Sequence, residues 1–284
     1  MDDQGETGLP ASIEAAWGVR ERPNKGPKRG LSIDKIVGAA VRIATSEGLA
    51  AVSMSRVAAD LGAAPMSLYR YVAAKDELLT LMVDAALGPP RAAPPAAADE
   101  DWRAGLARWA WTVRAAYLRH PWVLRIPISG PPATPNQVAW MEDALGSLRD
   151  TGLTEAEKLS VLLLLSGFVR NEATLGTDIS AAFLASGASP QQAMSAYGRL
   201  LGKLTEAHRF PALHAVIAAG VFDEPDHPDA EFVFGLDRIL DGVEVLVRAR
   251  EADPRLAHRN AGQAGAVGTG DLPDRTGVPE QRPP

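Results

Sequence analysis

Apolar residues recur at three- and four-residue intervals along most of the chain, which is the spacing of amphipathic α-helices. One clear stripe runs from Ile33 to Ala44, behind Ser32, whose hydroxyl can cap the first helical turn. Further stripes predict helices over 76–87, 102–119, 136–150, 154–176, 190–208, 210–219 and 230–250. Alanine and leucine are abundant and β-branched runs are short, so the pattern predicts an all-α chain.

Two short helices joined by a tight turn are predicted between residues 53 and 72. Ser53 is the expected N-cap of the first helix, which runs to Leu61, and Gly62 supplies the positive φ of the turn. Pro65 is expected to open the second helix, of about two turns, because its missing amide costs nothing at that position. This arrangement is the signature of a helix-turn-helix DNA reader.

The outward-facing positions of this unit are the expected DNA contacts. Leu68 and Val72 are four residues apart and are expected to pack inward. Arg70 is the best base-reading candidate, because a guanidinium pairs bidentately with guanine, whereas serines at the first helix start suit phosphates. The alternative is that these side chains are ordinary solvated surface residues. The predicted DNA-binding set is Ser53, Ser55, Arg56, Pro65, Met66, Ser67, Tyr69, Arg70, Tyr71 and Lys75.

Charge distribution matters more than total charge here. The whole chain carries a net charge of −6, but Arg20 to Leu87 holds ten basic and seven acidic residues, a net charge of +3, which leaves −9 elsewhere. Residues 1–30 are predicted to be a flexible basic arm, which either lies on DNA or serves as a solubilising tail. An electropositive N-terminal module on an acidic body is compatible with nucleic-acid binding.

The segment Leu-Gly-Ala-Ala-Pro-Met-Ser-Leu-Tyr-Arg-Tyr-Val at 61–72, followed by Lys-Asp-Glu-Leu-Leu at 75–79, resembles the DNA-binding domain of the TetR family of transcriptional regulators. The match covers residues 31–87, the DNA-binding unit that we call the reader. The resemblance implies that the helix opened by Lys75 joins the reader to residues 99–250, which we call the body. Ala63, Ala64 and Pro65 stand where tetracycline repressors carry polar base-reading groups, and Arg70 replaces their tryptophan. The operator sequence therefore does not follow from the resemblance.

Residues 99–250 are predicted to form a helical regulatory and dimerisation domain, after a linker rich in Pro and Ala at 88–98. Asn136 is an expected helix cap, and Thr154 with Glu157 forms a capping box. The segments 101–103, 119–122, 135–136 and 152–154 resemble the C-terminal domain of the tetracycline-repressor branch. That resemblance implies a homodimer held by a four-helix bundle, with Thr154 to Gly176 and Ala230 to Arg250 from each subunit. Residues 251–284 are predicted to be disordered.

Aromatic and polar residues of this body are candidates for a small-molecule site between helices. The alternative is that the tryptophans are simply core. Asn171 and Glu172 interrupt an apolar helix, so they either face solvent or line a cavity. The candidate ligand-binding set is Trp102, Trp109, Tyr117, Trp122, Trp140, Phe168, Asn171 and Glu172.

Several kinds of chemistry find no support in the sequence. Cysteine is absent, and the histidines do not cluster with carboxylates at ligand spacing, so neither a metal site nor a cofactor is expected. No Gly-rich phosphate loop or nucleophile elbow suggests an enzyme. The N-terminus does not resemble a signal peptide, and the longest apolar run, Val161 to Leu165, is too short to span a membrane. A cytoplasmic protein with no membrane partner is expected.

These observations predict a homodimeric DNA-binding regulator that responds to a small-molecule effector, and the family resemblance implies a repressor. The effector would bind the body, shift the joining helix and change the spacing of two readers on double-stranded operator DNA. The alternative is an all-α small-molecule-binding or enzymatic bundle whose N-terminal module no longer reads DNA.

Overall fold

The computed structural model describes residues 8, 10–19, 31–90, 100–224 and 229–252. Regular structure in these ranges is entirely helical, which confirms the predicted all-α fold. The helices are α1 (Ala11–Ala16), α2 (Ile33–Glu47), α3 (Met54–Asp60), α4 (Pro65–Leu68), α5 (Lys75–Leu87), α6 (Trp102–Arg119), α7 (Pro135–Ser147), α8 (Glu155–Ser186), α9 (Pro190–Leu204), α10 (Pro211–Ala218) and α11 (Ala230–Ala252). Short 3-10 turns at 49–51, 121–125 and 221–223 connect some of them. Most of the predicted basic arm, linker and C-terminal tail lies outside the described residues.

Helices α2 to α5 enclose the core of the N-terminal module. Ile36, Leu68, Val72 and Leu78 are completely buried there, so the inward packing predicted for Leu68 and Val72 is confirmed. The Ser32 hydroxyl accepts a hydrogen bond from the Lys35 amide at 3.2 Å, as expected of the N-cap of α2. This core fixes the positions of α3 and α4, which carry the predicted DNA contacts.

A short helix, α1, lies inside the stretch predicted to be a flexible arm. Ile13 is buried in the N-terminal core, and the Ser12 hydroxyl donates to Glu77 Oε2 of α5 at 2.7 Å. The Trp17 indole donates to the Ala133 carbonyl of the body at 2.7 Å. The burial of Ile13 and these hydrogen bonds hold α1 against two parts of the chain, and the flexibility of the rest of residues 1–30 stays a prediction.

The body is built on α6, α7, α8 and α11. Phe232, Leu106, Leu148 and Leu165 are among its completely buried side chains. The predicted capping box is confirmed at the start of α8, where the Thr154 hydroxyl accepts from the Glu157 amide at 3.3 Å and Glu157 Oε2 accepts from the Thr154 amide at 2.9 Å.

Several predicted helix boundaries in the body are wrong, since α7 ends at Ser147 instead of residue 150 and α9 ends at Leu204 instead of residue 208. Helix α8 continues ten residues past the predicted end at Gly176 and stops at Gly187, whose φ of 70° suits a C-cap. Helix α7 has Thr134, not Asn136, at its N-cap position, and Pro135 takes the first helical position. Asn136 lies one residue further into the helix, where its amide and side chain contact Asp84 of α5.

The N-terminal module and the body are joined by side-chain contacts. Trp122, from the 3-10 turn after α6, is buried in the N-terminal core, and its indole donates to Thr45 Oγ1 of α2 at 3.2 Å. The Trp140 indole donates to the Gly88 carbonyl at the end of α5 at 2.9 Å. These contacts attach the body to the N-terminal module at two points.

No helix in the described ranges has both the length and the apolar character that crossing a membrane requires.

Candidate DNA-binding surface and effector domain

The turn between α3 and α4 is held by backbone bonds and by one glycine. The Ala63 amide donates to the Ala58 carbonyl at 2.9 Å, and the Gly62 amide donates to the Ala59 carbonyl at 3.1 Å. Gly62 has a φ of 63°, which a residue with a Cβ adopts only at a cost. These backbone hydrogen bonds and the positive φ of Gly62 therefore set the angle between α3 and α4.

Helix α4 is shorter than the two turns predicted from sequence. It covers Pro65–Leu68, and the chain continues as hydrogen-bonded turns through Tyr71, whose amide donates to the Leu68 carbonyl at 2.9 Å. Only six residues separate Leu68 from Lys75 at the start of α5, so the chain must leave the helical path early to turn into that helix. The expected base-reading residue, Arg70, thus lies on a turn that follows the helix.

Most of the predicted DNA-binding side chains are exposed to solvent. Met66, Tyr69 and Arg70 are exposed around α4, with Met66 at 74%. Ser53 and Ser55 are exposed at the start of α3, where the Ser53 hydroxyl accepts from the Arg56 amide at 3.1 Å and is confirmed as the N-cap. The capping oxygen keeps its own proton, so it can still donate to a phosphate.

Three other members of the set are less simple. Tyr71 is half-buried and packs against the N-terminal core, which contradicts the expectation that it points outward. Ser67 is half-buried, and Pro65 is exposed at the first position of α4.

The two arginines of the set differ in their partners. Arg56 donates to Glu47 Oε1 at 2.6 Å, and this hydrogen bond raises the pKa of the guanidinium. Within the described residues Arg70 makes no hydrogen bond or ion pair. Arg70 is therefore free to bind an anion or a base edge, whereas Arg56 must first give up or share Glu47. The sequence pattern did not reveal this contact of Arg56 with Glu47, because Glu47 lies nine residues away on another helix.

Lys75 stands at the first position of α5, where a cation is unfavourable beside the positive end of the helix dipole. The N-cap residue is Ala74, which has no side chain able to cap. Lys75 is exposed, so a phosphate placed here would satisfy both the lysine and the open helix start.

The tryptophans of the predicted ligand set are divided between two cores. Trp109 and Trp140 meet edge to face in the body with ring centroids 6.4 Å apart, and the Trp109 indole donates to the Trp140 carbonyl at 2.9 Å. Trp122 belongs to the N-terminal core, and Tyr117 is half-buried between the two cores. For these four residues the packing follows the core alternative that the sequence left open.

Phe168 and Glu172 lie together beside a buried arginine. Phe168 stacks on Phe232 with centroids 5.6 Å apart, and the Arg114 guanidinium lies 4.7 Å from the Phe232 ring centroid. Arg114 also donates to Glu172 Oε2 and to Asp229 Oδ1, each at 2.8 Å. The hydrogen bond to Glu172 raises the pKa of the Arg114 guanidinium. Glu172 therefore faces the interior, whereas its neighbour Asn171 is exposed. Sequence reasoning missed Arg114, although an arginine among the apolar positions of α6 was a visible signal.

Two concave regions lie on the body. A cleft of about 630 Å³ between α6 and α7 is lined mainly by charged residues, and half-buried Trp102 of the predicted set contributes to it. An apolar groove of about 480 Å³ lies between α8 and α11. In the part of the chain that the structure describes, no three His, Asp or Glu side chains come close enough to hold a metal ion.

The whole arrangement matches known regulatory proteins. The family model of the bacterial regulatory proteins of the tetR family matches residues 36–82, and the model of the tetracyclin repressor-like C-terminal domain matches residues 94–247. The chain belongs to the TetR family. Helices α2 to α5 are thus the DNA-binding domain of a TetR-family transcriptional regulator, and α6 to α11 are its C-terminal domain.

Proteins from Streptomyces are among the relatives of this TetR-family chain. The HTH-type transcriptional repressor DrrR1 from Streptomyces coeruleorubidus is 38% identical over 253 residues, which are 89% of this chain and 92% of DrrR1. Apo ActR from Streptomyces coelicolor has a TM-score of 0.63 and 30% identity, and the match covers 77% of this chain and 97% of ActR. ActR in complex with actinorhodin matches with a TM-score of 0.58 and 30% identity, over 75% of this chain and 94% of ActR.

Proposed function

We propose that this protein is a homodimeric transcriptional repressor that acts in the cytoplasm and leaves its operator when a small-molecule effector binds the body. The observation that carries the proposal is the exposed surface of Ser53, Ser55, Arg70 and Lys75 on a reader whose helices are fixed by a buried core. A rigid platform of this kind docks without a large ordering cost. The similarity to the repressor DrrR1 supports the sign of regulation.

Homodimer formation is supported by the apolar surface of α8 and α11. Leu163 of α8 is 65% exposed, Phe234 of α11 is 62% exposed, and the apolar groove lies between the two helices. A surface of this kind marks an interaction site in a protein that remains in solution. A second copy, presenting the same two helices, would bury it in a four-helix bundle and would place two readers on one operator.

Effector binding is supported by the body's interior. Phe168 and Glu172 converge on Phe232 and Arg114, which combines aromatic surface with a small number of polar groups. ActR, which resembles this chain across most of its length, has been solved in complex with actinorhodin. We expect a planar aromatic effector to engage this cluster. Trp102, Trp109, Tyr117, Trp122, Trp140 and Asn171 remain predictions as ligand contacts.

Operator binding is tested by a gel shift with the promoter region beside the protein's own gene. Saturable binding that weakens steeply as salt rises is expected, because each phosphate contact releases a counterion. Addition of actinorhodin, as one probe among a panel of small molecules, is expected to release the DNA. Absence of saturable binding at low salt would favour a ligand-binding bundle with a vestigial reader.

The dimer is tested by the substitution Leu163→Glu in α8. The expected result is a shift from dimer to monomer in sedimentation velocity, because a carboxylate in the interface loses its hydration without gaining a partner. Leu118→Glu in α6 is the control, since Leu118 is also exposed but lies outside α8 and α11. A Leu163→Glu protein that remains dimeric would exclude this face of α8 as the interface.

A further inference from the structure

The carboxylate of Asp84, on the helix that leads out of the reader, supplies the cap of a helix in the body. Asp84 Oδ1 accepts hydrogen bonds from the backbone amides of Asn136 at 2.9 Å and Gln137 at 3.1 Å. Its Oδ2 accepts from the Asn136 side-chain amide at 3.0 Å, and its backbone carbonyl accepts from the same group at 3.1 Å. Asp84 as a residue is 8% exposed.

These amides are the ones that a helix's own N-cap residue ordinarily satisfies. The first amides of a helix have no partner within the helix, and an N-cap side chain accepts from the second or third of them. In α7 the N-cap residue is Thr134, whose residue type is well suited to that role. Asp84, 52 positions from Asn136 in sequence, has taken its place.

Thr134 is left with an unused hydroxyl. Its side chain is completely buried, and its Oγ1 makes no hydrogen bond with the described residues. A buried hydroxyl without a partner is costly, so its presence requires an explanation. Its backbone is extended (φ −98°, ψ 155°), as is that of Thr154 (φ −66°, ψ 156°), which does cap α8 with its hydroxyl. Rotation about one side-chain bond would therefore let Thr134 cap α7.

We propose that Asp84 positions the reader on the body through a cap that can be exchanged with Thr134. In the closed arrangement Asp84 caps α7 and Thr134 is idle. In the open arrangement Thr134 caps α7, Asp84 is released to solvent, and α5 is free to move relative to α7. Because α7 is capped in both arrangements, opening the contact does not leave its first amides unsatisfied.

The exchange gives the joining helix two discrete positions, which is what a switch between two DNA affinities needs. The Trp140 indole donates to the Gly88 carbonyl just past the end of α5, and this bond would limit the movement of α5 to its other end. This consequence rests on the proposed DNA-binding function, whereas the exchange of caps does not.

The exchange is tested by a double-mutant cycle of Asp84→Ala and Thr134→Val, measured by denaturant unfolding of the full chain. Thr134→Val alone is expected to leave the unfolding equilibrium unchanged or more favourable to the native state, because it removes an unsatisfied buried hydroxyl and keeps the shape. In the Asp84→Ala background the same change is expected to reduce the native-to-unfolded ratio about fivefold, since it removes the reserve cap. Equal effects of Thr134→Val in both backgrounds would overturn the proposal.

Two further variants keep the cycle interpretable. Thr154→Val removes a cap that is in use, so it should reduce stability by a similar factor in both backgrounds. Asp84→Asn, which keeps one acceptor for the backbone amides, replaces Asp84→Ala if the alanine protein does not fold. In the Asp84→Asn background, Thr134→Val should then reduce the native-to-unfolded ratio by less than in the Asp84→Ala background. No reduction at all would count against the exchange.

The positioning role is tested on the promoter DNA used for the wild-type protein. Asp84→Ala is expected to change operator affinity by at least fivefold, whereas Thr134→Val should bind as the wild type does. Equal affinities of Asp84→Ala and wild type would overturn the positioning role. Failure of the wild type itself to bind would overturn the proposed function, and the unfolding cycle would still decide whether the caps exchange.

Discussion

Replacing Arg70 by alanine isolates the contribution of one side chain to operator recognition. Arg70 is exposed and has no hydrogen-bond or ion-pair partner in the described chain, and the nearby Leu68 holds the backbone in the core. Loss of the side chain should therefore change the free energy of unfolding by no more than ~0.5 kcal/mol. A change in DNA affinity can then be attributed to the lost contact.

The expected loss follows from the proposed dimer, in which two readers would contact one operator. A bidentate arginine–guanine contact is worth ~1–3 kcal/mol, so two copies of Arg70 in a dimer contribute about 2–6 kcal/mol. The lower bound corresponds to a roughly 30-fold increase in the dissociation constant. Arg56→Ala should cost less, because Arg56 already binds Glu47 at 2.6 Å and must share it to reach a phosphate.

Fluorescence anisotropy with a labelled operator, at several salt concentrations, distinguishes these roles. Arg70→Ala should lose affinity for the operator far more than for unrelated DNA. Arg70→Lys keeps the charge but not the planar fork, so it should keep the salt dependence and lose most of the discrimination. Equal losses on operator and unrelated DNA would make Arg70 a phosphate contact, and unchanged affinity would remove it from the interface.

Two other predictions concern the body. Arg250 Nε donates to Glu157 Oε2 at 3.2 Å, and this hydrogen bond lowers the pKa of Glu157 below its ordinary value of 4.5. The ionised Glu157 carboxylate therefore contributes stability above pH 4.5, and this contribution is lost as pH falls through the lowered pKa. Unfolding followed from pH 6 to pH 3 should show a smaller loss of stability for Glu157→Gln than for wild type, and parallel losses would contradict this. Gly235→Ala should destabilise the protein by ~1–3 kcal/mol, because the new Cβ would lie 2.4 Å from the Phe168 ring. Gly176→Ala should instead stabilise α8, because open space surrounds this position. Equal melting temperatures of the two variants would refute the crowding argument.

Features set by near neighbours in sequence were predictable. The caps at Ser32, Ser53 and Thr154 each bond to an amide three residues away, so the residues that decide them are adjacent in the chain. The turn at Gly62 follows from the backbone freedom of glycine. The location of the reader could therefore be predicted from residues 53–72 without any knowledge of the body.

Features set by distant residues were not predictable. Asn136 carries a good capping residue type, yet Asp84 supplies the cap from another helix. Glu47 occupies Arg56, which changes the value of that arginine for DNA binding. Nothing in the local pattern distinguishes a tryptophan that lines a cavity from one that fills a core, and Trp122 fills the core of the neighbouring module.

By itself the sequence determined the helices, the reader and the family, because helical periodicity, capping and turn residues act over three to seven positions. The tertiary structure alone decided how the reader is attached to the body and which polar groups are free. Thr134 shows the difference: the chain supplies a threonine at a helix start, and only the approach of Asp84 leaves its hydroxyl idle. Which group accepts a hydrogen bond depends on the groups that lie close to the donor in space. For residues remote in sequence, that closeness is a property of the fold.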